Sequence, residues 1–412
     1  MSRQNGTVTT MTPRPLRFGL RRDLTRPTDT EHSDRVTYVE LFFDLIFVFA
    51  LTQLSAHLYE NQTLVGAIEF AMLVLALWWA WSYTSWVTNL LDPARLPVRG
   101  IVIVLTLFGL VMGTSIFESF GDRGIVFAIA YVLLQVVRTL FMLSATARHD
   151  RQMFRDFVRV LVWISASGVF WIVGALVPIE LRLGFWLVAL GIEYLSAAVG
   201  FRVPGLDVTR VSEWDLSGAH IAERSALFVI IALGESFIVT GFAFVAQESS
   251  VLGVLGVLLA FIAAVTMWWL YFDHGERAGA RAVEKIEKPG RIVRLVYTYI
   301  HAIIVAGIVL VSVADKEVLG NPEADITASV AVIIASGPGL YLIGLSLFRW
   351  VVARELLLSH LVAVGMLAVV AVAAPLFTVI TMFALTTGIL VITAVWETTL
   401  RVRAGGDDAE AG

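Results

Sequence analysis

Twelve apolar runs of bilayer-spanning length follow one another along this chain, separated by short polar breaks. A helix needs about 20 mostly apolar residues to cross the hydrocarbon core. The composition agrees, with 58% hydrophobic and 16% charged residues in a chain of 412. The sequence therefore predicts an all-α polytopic membrane protein with about twelve transmembrane helices. The predicted helices lie near 37–58, 65–88, 100–119, 124–146, 157–178, 183–200, 222–246, 251–273, 292–314, 327–348, 355–374 and 376–400, with Pro375 dividing the last two.

Basic residues predict the orientation of these helices. If successive helices cross the membrane in alternating directions, all but three of the 30 Lys and Arg residues fall in segments on the same side. Cytoplasmic loops are enriched in such residues. Both termini are therefore predicted to be cytoplasmic, with the protein in the plasma membrane. We expect 1–35 to be a disordered basic arm and 402–412 to be a disordered tail. The chain has no Cys, which excludes disulfides and thiolate sites.

Related features in the two parts of the chain predict an internal repeat. Glu40 is followed 13 residues later by Gln53, and Glu223 is followed 12 residues later by Glu235. A tryptophan pair comes in the next helix each time, 78–79 and 268–269. Six helices separate each feature from its partner, so the repeats would be parallel. The predicted units are a six-helix half at 36–200, a cytoplasmic linker at 201–221 and a second six-helix half at 222–401.

Four polar residues interrupt the first predicted helix, namely Glu40, Asp44, Gln53 and His57. Residues four apart share one face of a helix, so Glu40 pairs with Asp44 and Gln53 with His57. A carboxylate in hydrocarbon is costly and normally faces other helices or water. Asp44 lies a turn deeper than Glu40, and we expect it to be protonatable or cation-binding, with Gln53 as a polar lining residue.

The second half carries a matching set of polar residues. His220, Glu223 and Arg224 begin the seventh helix and Asp273 ends the eighth, so with Glu40 they are predicted to form an inner gate. Glu235 lies near the middle of the seventh helix, where an ionised carboxylate needs a proton, a cation partner or water. We expect Glu235 to be the coupling group, and we expect Gln53 to face it.

Several other residues are weaker candidates. A lone His or Glu among apolar residues is more often a satisfied packing residue than a ligand, and tryptophans near the membrane surface commonly anchor the helices there. His57 lies near the predicted outer face, where a histidine can sense pH. The weaker site candidates are Glu69, Glu193, His301 and His360, and the predicted anchors are Trp78, Trp79, Trp81, Trp86, Trp268 and Trp269.

Common catalytic motifs are missing from the sequence. It has no Walker loop, no dinucleotide-binding glycine turn, no His-Glu-x-x-His and no Gly-x-Ser-x-Gly, so nucleotide-driven transport and the common hydrolase sites are unsupported. One alternative stays open, because His220 and Glu223 have a spacing that suits two metal ligands. Asp44, Asp273 or His274 would then complete a metal-dependent enzyme site. No resident cofactor or metal is predicted.

Two motifs resemble a known family. The first is Val39-Glu-Leu-Phe-Phe-Asp-Leu-Ile-Phe-Val-Phe-Ala-Leu-Thr-Gln-Leu, and the second is His220-Ile-Ala-Glu-Arg-Ser-Ala-Leu-Phe-Val-Ile-Ile-Ala-Leu-Gly-Glu-Ser. Together they resemble the bacterial low-temperature-requirement protein A family over about 36–401. The resemblance implies that the polar residues of both motifs matter. The family's name refers to growth in the cold, which suits a transporter, a channel or a protein that manages lipids.

These features together favour transport. We expect a proton- or ion-coupled carrier or channel for a small solute, with its path between the two halves. The alternatives are a metal-dependent intramembrane enzyme that acts on lipid and a non-catalytic membrane-integrity protein. The expected partners are the lipid bilayer and the transported ion or solute, with no nucleic acid. Many small residues allow close helix contacts within a monomer as readily as in a homodimer.

Overall fold

The computed structural model describes residues 24–26, 36–206, 217–246, 250–276 and 295–410. Within these ranges the chain forms twelve α-helices, eleven of which are long and apolar enough to cross a membrane. The prediction of a multi-pass helical membrane protein is therefore confirmed. The helices are α1 Tyr38–Glu60, α2 Leu64–Leu90, α3 Leu96–Gly113, α4 Gly124–Thr146, α5 Arg151–Leu176, α6 Ile179–Ala198, α7 Gly218–Val245, α8 Val251–Trp269, α9 His301–Gly320, α10 Ala328–Ala353, α11 Leu358–Val372 and α12 Val379–Glu410.

Local sequence explains where many helices begin. Thr37 precedes α1, and its backbone N–H donates to Glu40 Oε2 at 2.9 Å, which satisfies a donor at the helix start. Ser217 caps α7 by accepting from the backbone N–H of His220 at 3.3 Å, and Thr63 caps α2 in the same way. Turns of π-helix, Leu270–Glu276 and Leu295–Ile300, continue α8 and precede α9.

Neighbouring helices pack in a similar order in the two parts of the chain. In the first part α1 packs on α3, α3 on α4, α4 on α5 and α5 on α6. In the second part α7 packs on α9, α9 on α10, α10 on α11 and α11 on α12. The two parts meet mainly where α1 and α2 contact α7 and α9. Helix α9 also packs on α8 and α12, so it is the most fully buried helix.

Glycines allow α9 and α10 to approach closely. A Cβ added at Gly307 of α9 would lie 2.6 Å from the Tyr341 backbone nitrogen and 2.8 Å from the Gly337 carbonyl oxygen. A Cβ at Gly337 of α10 would meet the Val311 backbone nitrogen at 2.9 Å. Small residues at helix crossings let backbones pack directly in membrane proteins, and this packing holds α9 in its buried position.

Parts of both predicted terminal regions fall within the described residues. Helix α12 extends through Glu410, beyond the predicted end of the last helix at 400. In the predicted arm, Thr25 forms an antiparallel bridge with Leu91 and the Arg26 N–H donates to the Leu90 carbonyl at 3.0 Å. The rest of the arm lies outside the described residues, as does most of the predicted linker.

The last helix pair divides where the sequence predicted. Pro375 lies in a 3-10 turn, Ala374–Leu376, between α11 and α12. Helix α11 has 15 residues and is the one described α-helix that is too short to count among the eleven membrane candidates, where the sequence predicted twelve. Proline lacks an N–H and disfavours continuation of a helix, which accounts for the break.

The structure corrects the expected positions of several side chains. Arg138 and Arg159 were counted among the basic residues of the cytoplasmic side, but both are buried within α4 and α5, so they carry no information about the sidedness of loops. The prediction that the α2 tryptophans are membrane anchors was wrong, because they are at most 3% exposed. Trp268 and Trp269, at 44% and 41% exposed, differ in environment from Trp78 and Trp79.

Candidate functional site

Helices α1 and α7 bring four ionisable residues together near their N-terminal ends. Arg224 Nη2 donates to Asp44 Oδ1, and Arg224 Nη1 lies 3.8 Å from Glu40 Oε1. His220 Nε2 lies 3.1 Å from the same Glu40 oxygen. All four side chains have no exposed surface. We call Glu40, Asp44, His220 and Arg224 the N-terminal cluster, and these predicted site residues do meet.

Helix α2 supplies the polar neighbours of this cluster. Trp81 Nε1 donates to Asp44 Oδ1 at 2.7 Å, and Arg224 Nη1 donates to Thr88 Oγ1 at 2.9 Å. Asn89 Nδ2 lies 3.1 Å from His220 Nδ1. Trp81 had been interpreted as an anchor, and neither Thr88 nor Asn89 was predicted. Trp81 is seven residues before Thr88 and eight before Asn89, close to two helical turns, and this spacing is the only feature that could have indicated a shared face.

An arginine from the predicted arm completes the charge balance. Arg26 Nη2 lies 3.8 Å from Glu40 Oε2 and 3.3 Å from His220 Nε2. Two guanidinium groups therefore face the carboxylates of Glu40 and Asp44. Buried charges persist when they are paired and hydrogen-bonded, so the N-terminal cluster is close to neutral without a bound ion.

A layer of aromatic rings follows the N-terminal cluster along α1 and α7. The ring centroids of Phe47 and Phe228 are 5.9 Å apart, and those of Phe228 and Trp78 are 5.4 Å apart. None of these three side chains is more than 2% exposed. We call Phe47, Trp78 and Phe228 the aromatic layer. Phe47 and Phe228 thus lie between the N-terminal cluster and the next buried ionisable residues along α1 and α7.

Beyond the aromatic layer lies Glu235, which is fully buried. Its Oε1 accepts from Ser55 Oγ of α1 at 2.9 Å. The α1 residue that contacts Glu235 is therefore Ser55. The prediction that Gln53 faces Glu235 was wrong. Side chains two residues apart on a helix point in directions about 200° apart. Gln53 therefore points away from Ser55, and it is only half-buried.

Asp315 of α9 also lies at this level and was missed in the sequence. It is fully buried and its Oδ2 accepts from Ser236 and, at 3.2 Å, from Thr240, both on α7. Ser236, to which Asp315 is hydrogen-bonded, is the residue next to Glu235 on α7, so the two carboxyl groups lie in the same region. The sequence prediction ended the ninth helix at 314, whereas α9 continues to Gly320. Ser312, three residues earlier on the same face, was the only available indication.

Two residues assigned to the inner gate lie elsewhere. Asp273 pairs with Arg401 of α12, whose side chain donates to the Asp273 carboxylate. Glu223 is exposed and accepts from the Val36 N–H at 3.3 Å. His220 and Glu223 are three residues apart on α7, but His220 is buried against Glu40 and Glu223 is exposed.

The proposed metal ligands do not converge. His220 contacts Glu40 while Glu223 is at the surface, and the His274 side chain lies outside the described residues. Over the part of the chain that the structure describes, no three or more His, Asp or Glu side chains are grouped to hold a metal ion. The described geometry thus gives no support to the metal-dependent alternative.

A separate polar network lies within the first part of the chain. Glu193 accepts from Tyr131, from Ser167 at 2.6 Å and from Trp171 at 3.0 Å. Gln135 links this group to Arg138 by donating to Tyr131 OH and accepting from the guanidinium. Both carboxylate oxygens of Glu193 are occupied, which is typical of a structural network.

The predicted histidine candidates also have partners. His57 Nε2 lies 3.0 Å from Glu69 Oε2, so this predicted pH-sensing residue has a hydrogen-bond partner, and it is 3% exposed. A buried histidine with a hydrogen-bonding neighbour needs no ligand to be satisfied. The remaining pairs are His301 with Tyr271 and His360 with Glu397.

Comparison with known proteins identifies the family. Residues 35–395 match the family model described as bacterial low temperature requirement A protein (LtrA). The chain is 39% identical over 365 residues to the uncharacterized protein RA0937 of Rhizobium meliloti (strain 1021), covering 88% of this chain and 89% of that protein. No solved structure matches significantly. The chain therefore belongs to the bacterial low temperature requirement A family, as its two motifs indicated.

Proposed function

We propose that the protein is a proton- or ion-coupled transporter or channel for a small solute, with its path along the contact between α1 and α7. Glu235 acts as the coupling group. The N-terminal cluster is the gate on the cytoplasmic side, where the Asp44–Arg224 pair is made in the closed state. The aromatic layer separates gate and coupling group, so the described conformation is an occluded one.

The observation that carries this proposal is the presence of two buried polar levels on the same helix pair. Eleven residues separate Asp44 from Ser55 on α1 and Arg224 from Glu235 on α7. At 1.5 Å per residue, the two levels are about 16 Å apart. Ionisable residues inside a membrane domain are costly and commonly mark ion or proton pathways. A purely structural bundle gains little from placing carboxylates at both levels.

The proposal includes a parallel repeat of two six-helix halves and cytoplasmic termini. The matching order of helix contacts supports the repeat, since each neighbour pair in α1, α3, α4, α5 and α6 has a counterpart in α7, α9, α10, α11 and α12. In such a repeat α1 corresponds to α7, and these two helices contact each other. Transporters built from repeats commonly bind their substrates at the repeat interface.

Flux through purified protein in liposomes tests the proposal. Wild type and Glu235→Gln are reconstituted at matched levels, a proton gradient is imposed and a panel of ions is measured. We expect flux in the wild type and its loss in Glu235→Gln, because the amide cannot exchange a proton or neutralise a cation. Equal flux and equal pH dependence in both would contradict the role of Glu235.

Two matched variants serve as controls. Glu118→Gln makes the same change at a carboxylate that is exposed, and Glu193→Gln makes it at a buried carboxylate outside the α1–α7 contact. Both are expected to keep flux. Loss of flux in all three variants would attribute the effect to folding and would contradict a specific pathway through Glu235.

A cavity favours lipid binding by a membrane-integrity protein as a second candidate function. It has a volume of about 620 Å³ and lies between α2, α9 and α10, with apolar lining residues that include Phe70, Val74, Ala306 and Ile333. Gln62 and Ser329 add polar groups at one part of its wall. Replacing Ala306 with Phe fills the cavity. Reduced phospholipid retention in native mass spectrometry, with unchanged flux, would favour this second function.

A further inference from the structure

Glu235 and Asp315 form a second acidic pair that faces α1, at the junction of α1, α7 and α9. Ser55 reaches it from α1, Ser236 and Thr240 from α7, and Ser312 of α9 lies beside the Glu235 carboxyl group. Both carboxylates are fully buried. We call Glu235 and Asp315, with these hydroxyl groups, the carboxylate site.

One oxygen of each carboxylate is used and the other is free. Ser55 donates to Glu235 Oε1, while Ser236 and Thr240 donate to Asp315 Oδ2. Glu235 Oε2 and Asp315 Oδ1 have no hydrogen-bond partner among the described residues. A buried polar atom without a partner is costly. Two such atoms on neighbouring carboxylates are what an oxygen-seeking cation would satisfy.

The charges near this site do not balance. Lys316 is the basic residue that interacts with Glu235, and it is half-buried with its Nζ 5.8 Å from the Tyr59 ring centre. With both carboxyl groups ionised, one lysine offsets one of them and leaves a single negative charge. The N-terminal cluster differs, because its two carboxylates face two arginines. The carboxylate site then needs one more positive charge, which a proton or a bound cation would supply.

The donor set favours a small monovalent metal ion. Carboxylate and hydroxyl oxygens are hard ligands that suit hard cations. A site for a divalent ion such as Ca²⁺ normally has more oxygen ligands and charge, and no third carboxylate joins Glu235 and Asp315 among the described residues. Hydroxyl groups that donate to a carboxylate still have oxygen lone pairs for a cation.

We propose that the carboxylate site binds Na⁺, with Glu235 Oε2 and Asp315 Oδ1 as its charged ligands. This inference rests on the proposed transport function, in which Na⁺ is the coupling ion. Both charged ligands lie on helices of the second half, α7 and α9, and Ser55 of α1 contacts Glu235 from the first half. Thr240 is a positioning residue, because its hydroxyl orients the Asp315 carboxylate.

Thermal unfolding of the purified full-length protein in detergent tests the site. Unfolding is measured in choline chloride, KCl, NaCl and LiCl at one pH and one ionic strength. A ligand that binds only the folded state raises the unfolding temperature in a concentration-dependent way. We expect a saturable rise with NaCl over choline chloride in the wild type. Glu235→Gln and Asp315→Asn are expected to lose this rise, while Glu118→Gln and Glu193→Gln keep it.

A milder variant covers the case in which the carboxylate variants fail to fold. Thr240→Val keeps the shape of the side chain but removes its hydroxyl group, so Asp315 is less well oriented. Loss of a group that orients a ligand commonly costs 10-fold or more in metal affinity. We expect the NaCl concentration at half-maximal stabilisation to rise about tenfold. The same half-maximal concentration in Thr240→Val and wild type would overturn the assignment.

The remaining outcomes separate this inference from the proposed function. Equal unfolding temperatures in choline chloride and NaCl, together with flux that depends on Glu235, would overturn the Na⁺ site and leave proton-coupled transport in place. Stabilisation by NaCl that disappears in Asp315→Asn, without flux of any tested ion or solute, would keep the site and overturn transport. Stabilisation that persists in Asp315→Asn would overturn the site.

Discussion

Arg224 and Asp44 form an ion pair between α7 and α1 in which neither side chain is exposed. Trp81 donates to the same Asp44 oxygen at 2.7 Å, and the Arg224 guanidinium carbon lies 5.5 Å from the Trp81 ring centre. Three helices therefore meet at one carboxylate. The pair links the two motifs by which the family was recognised, so the motifs describe a tertiary contact.

Breaking this pair from one side should destabilise the protein. In Arg224→Met the Asp44 carboxylate loses its cation partner, and removal of one partner of a buried pair costs about 3–5 kcal/mol. The double variant with Asp44→Asn should lose less than the sum of the single variants, since contacting residues are not additive. Thermal unfolding in detergent measures all three. Additive losses would contradict a direct pair.

The control for this prediction is Arg123→Met. Arg123 pairs with Glu118 at 3.3 Å, and both side chains are more than half exposed. Such surface pairs contribute at most about 1 kcal/mol. A similar loss of stability in Arg123→Met and Arg224→Met would mean that burial of the pair has no effect on its contribution.

Tyr131→Phe should weaken the first-half polar network without removing it. The change deletes the O–H that donates to Glu193 and the oxygen that accepts from Gln135 at 3.3 Å. A hydrogen bond to a charged group contributes about 1.5–3 kcal/mol, and Glu193 keeps Ser167 and Trp171. We expect a lower unfolding temperature than in Tyr38→Phe, whose ring is 92% exposed. Equal temperatures would contradict the network.

Gly307→Ala should disturb the contact between α9 and α10. The added methyl group meets backbone atoms of Tyr341 and Gly337, which cannot rotate away. Overpacking of this kind costs about 1–3 kcal/mol or more. Gly365→Ala is the matched control, because no heavy atom lies within 4 Å of its added Cβ. An unfolding temperature that is unchanged in Gly307→Ala would show that the helices are further apart than described.

Single cysteines can report the proposed orientation, since the chain has none of its own. Glu118 lies between α3 and α4, Arg148 lies between α4 and α5, and both are exposed. With cytoplasmic termini, a membrane-impermeant maleimide should label Glu118→Cys in intact cells and Arg148→Cys only after permeabilisation. The reverse pattern would place the termini outside.

Much of the secondary structure was predictable from the apolar runs. The predicted seventh helix, 222–246, corresponds to α7 Gly218–Val245, and the break at Pro375 appears in the structure. The failures fall at polar residues near helix ends. Hydropathy ended the ninth helix at 314, just before Asp315 and Lys316, although burial against α7 keeps that turn helical. A hydropathy scale describes transfer from water to lipid, so it does not include the protein groups that stabilise a buried charge.

The sequence indicated which carboxylates lie inside the membrane domain, but it did not indicate which side chains they contact. Glu40, Asp44 and Glu235 were found because carboxylates in apolar runs are costly. Helix rotation decides which neighbour meets them, and one residue turns a helix by about 100°. That rotation places Ser55 on Glu235 and leaves Gln53 half-buried.

The sequence by itself determined that the chain is a multi-pass helical membrane protein of this family, because hydrophobic length and the two motifs are properties of consecutive residues. Only the tertiary structure decided that Arg224 pairs with Asp44, that Asp273 pairs with Arg401 and that Asp315 joins Glu235. These pairings depend on how helices rotate and cross. Packing between distant segments sets that geometry, and glycine contacts such as Gly307 with Tyr341 fix it.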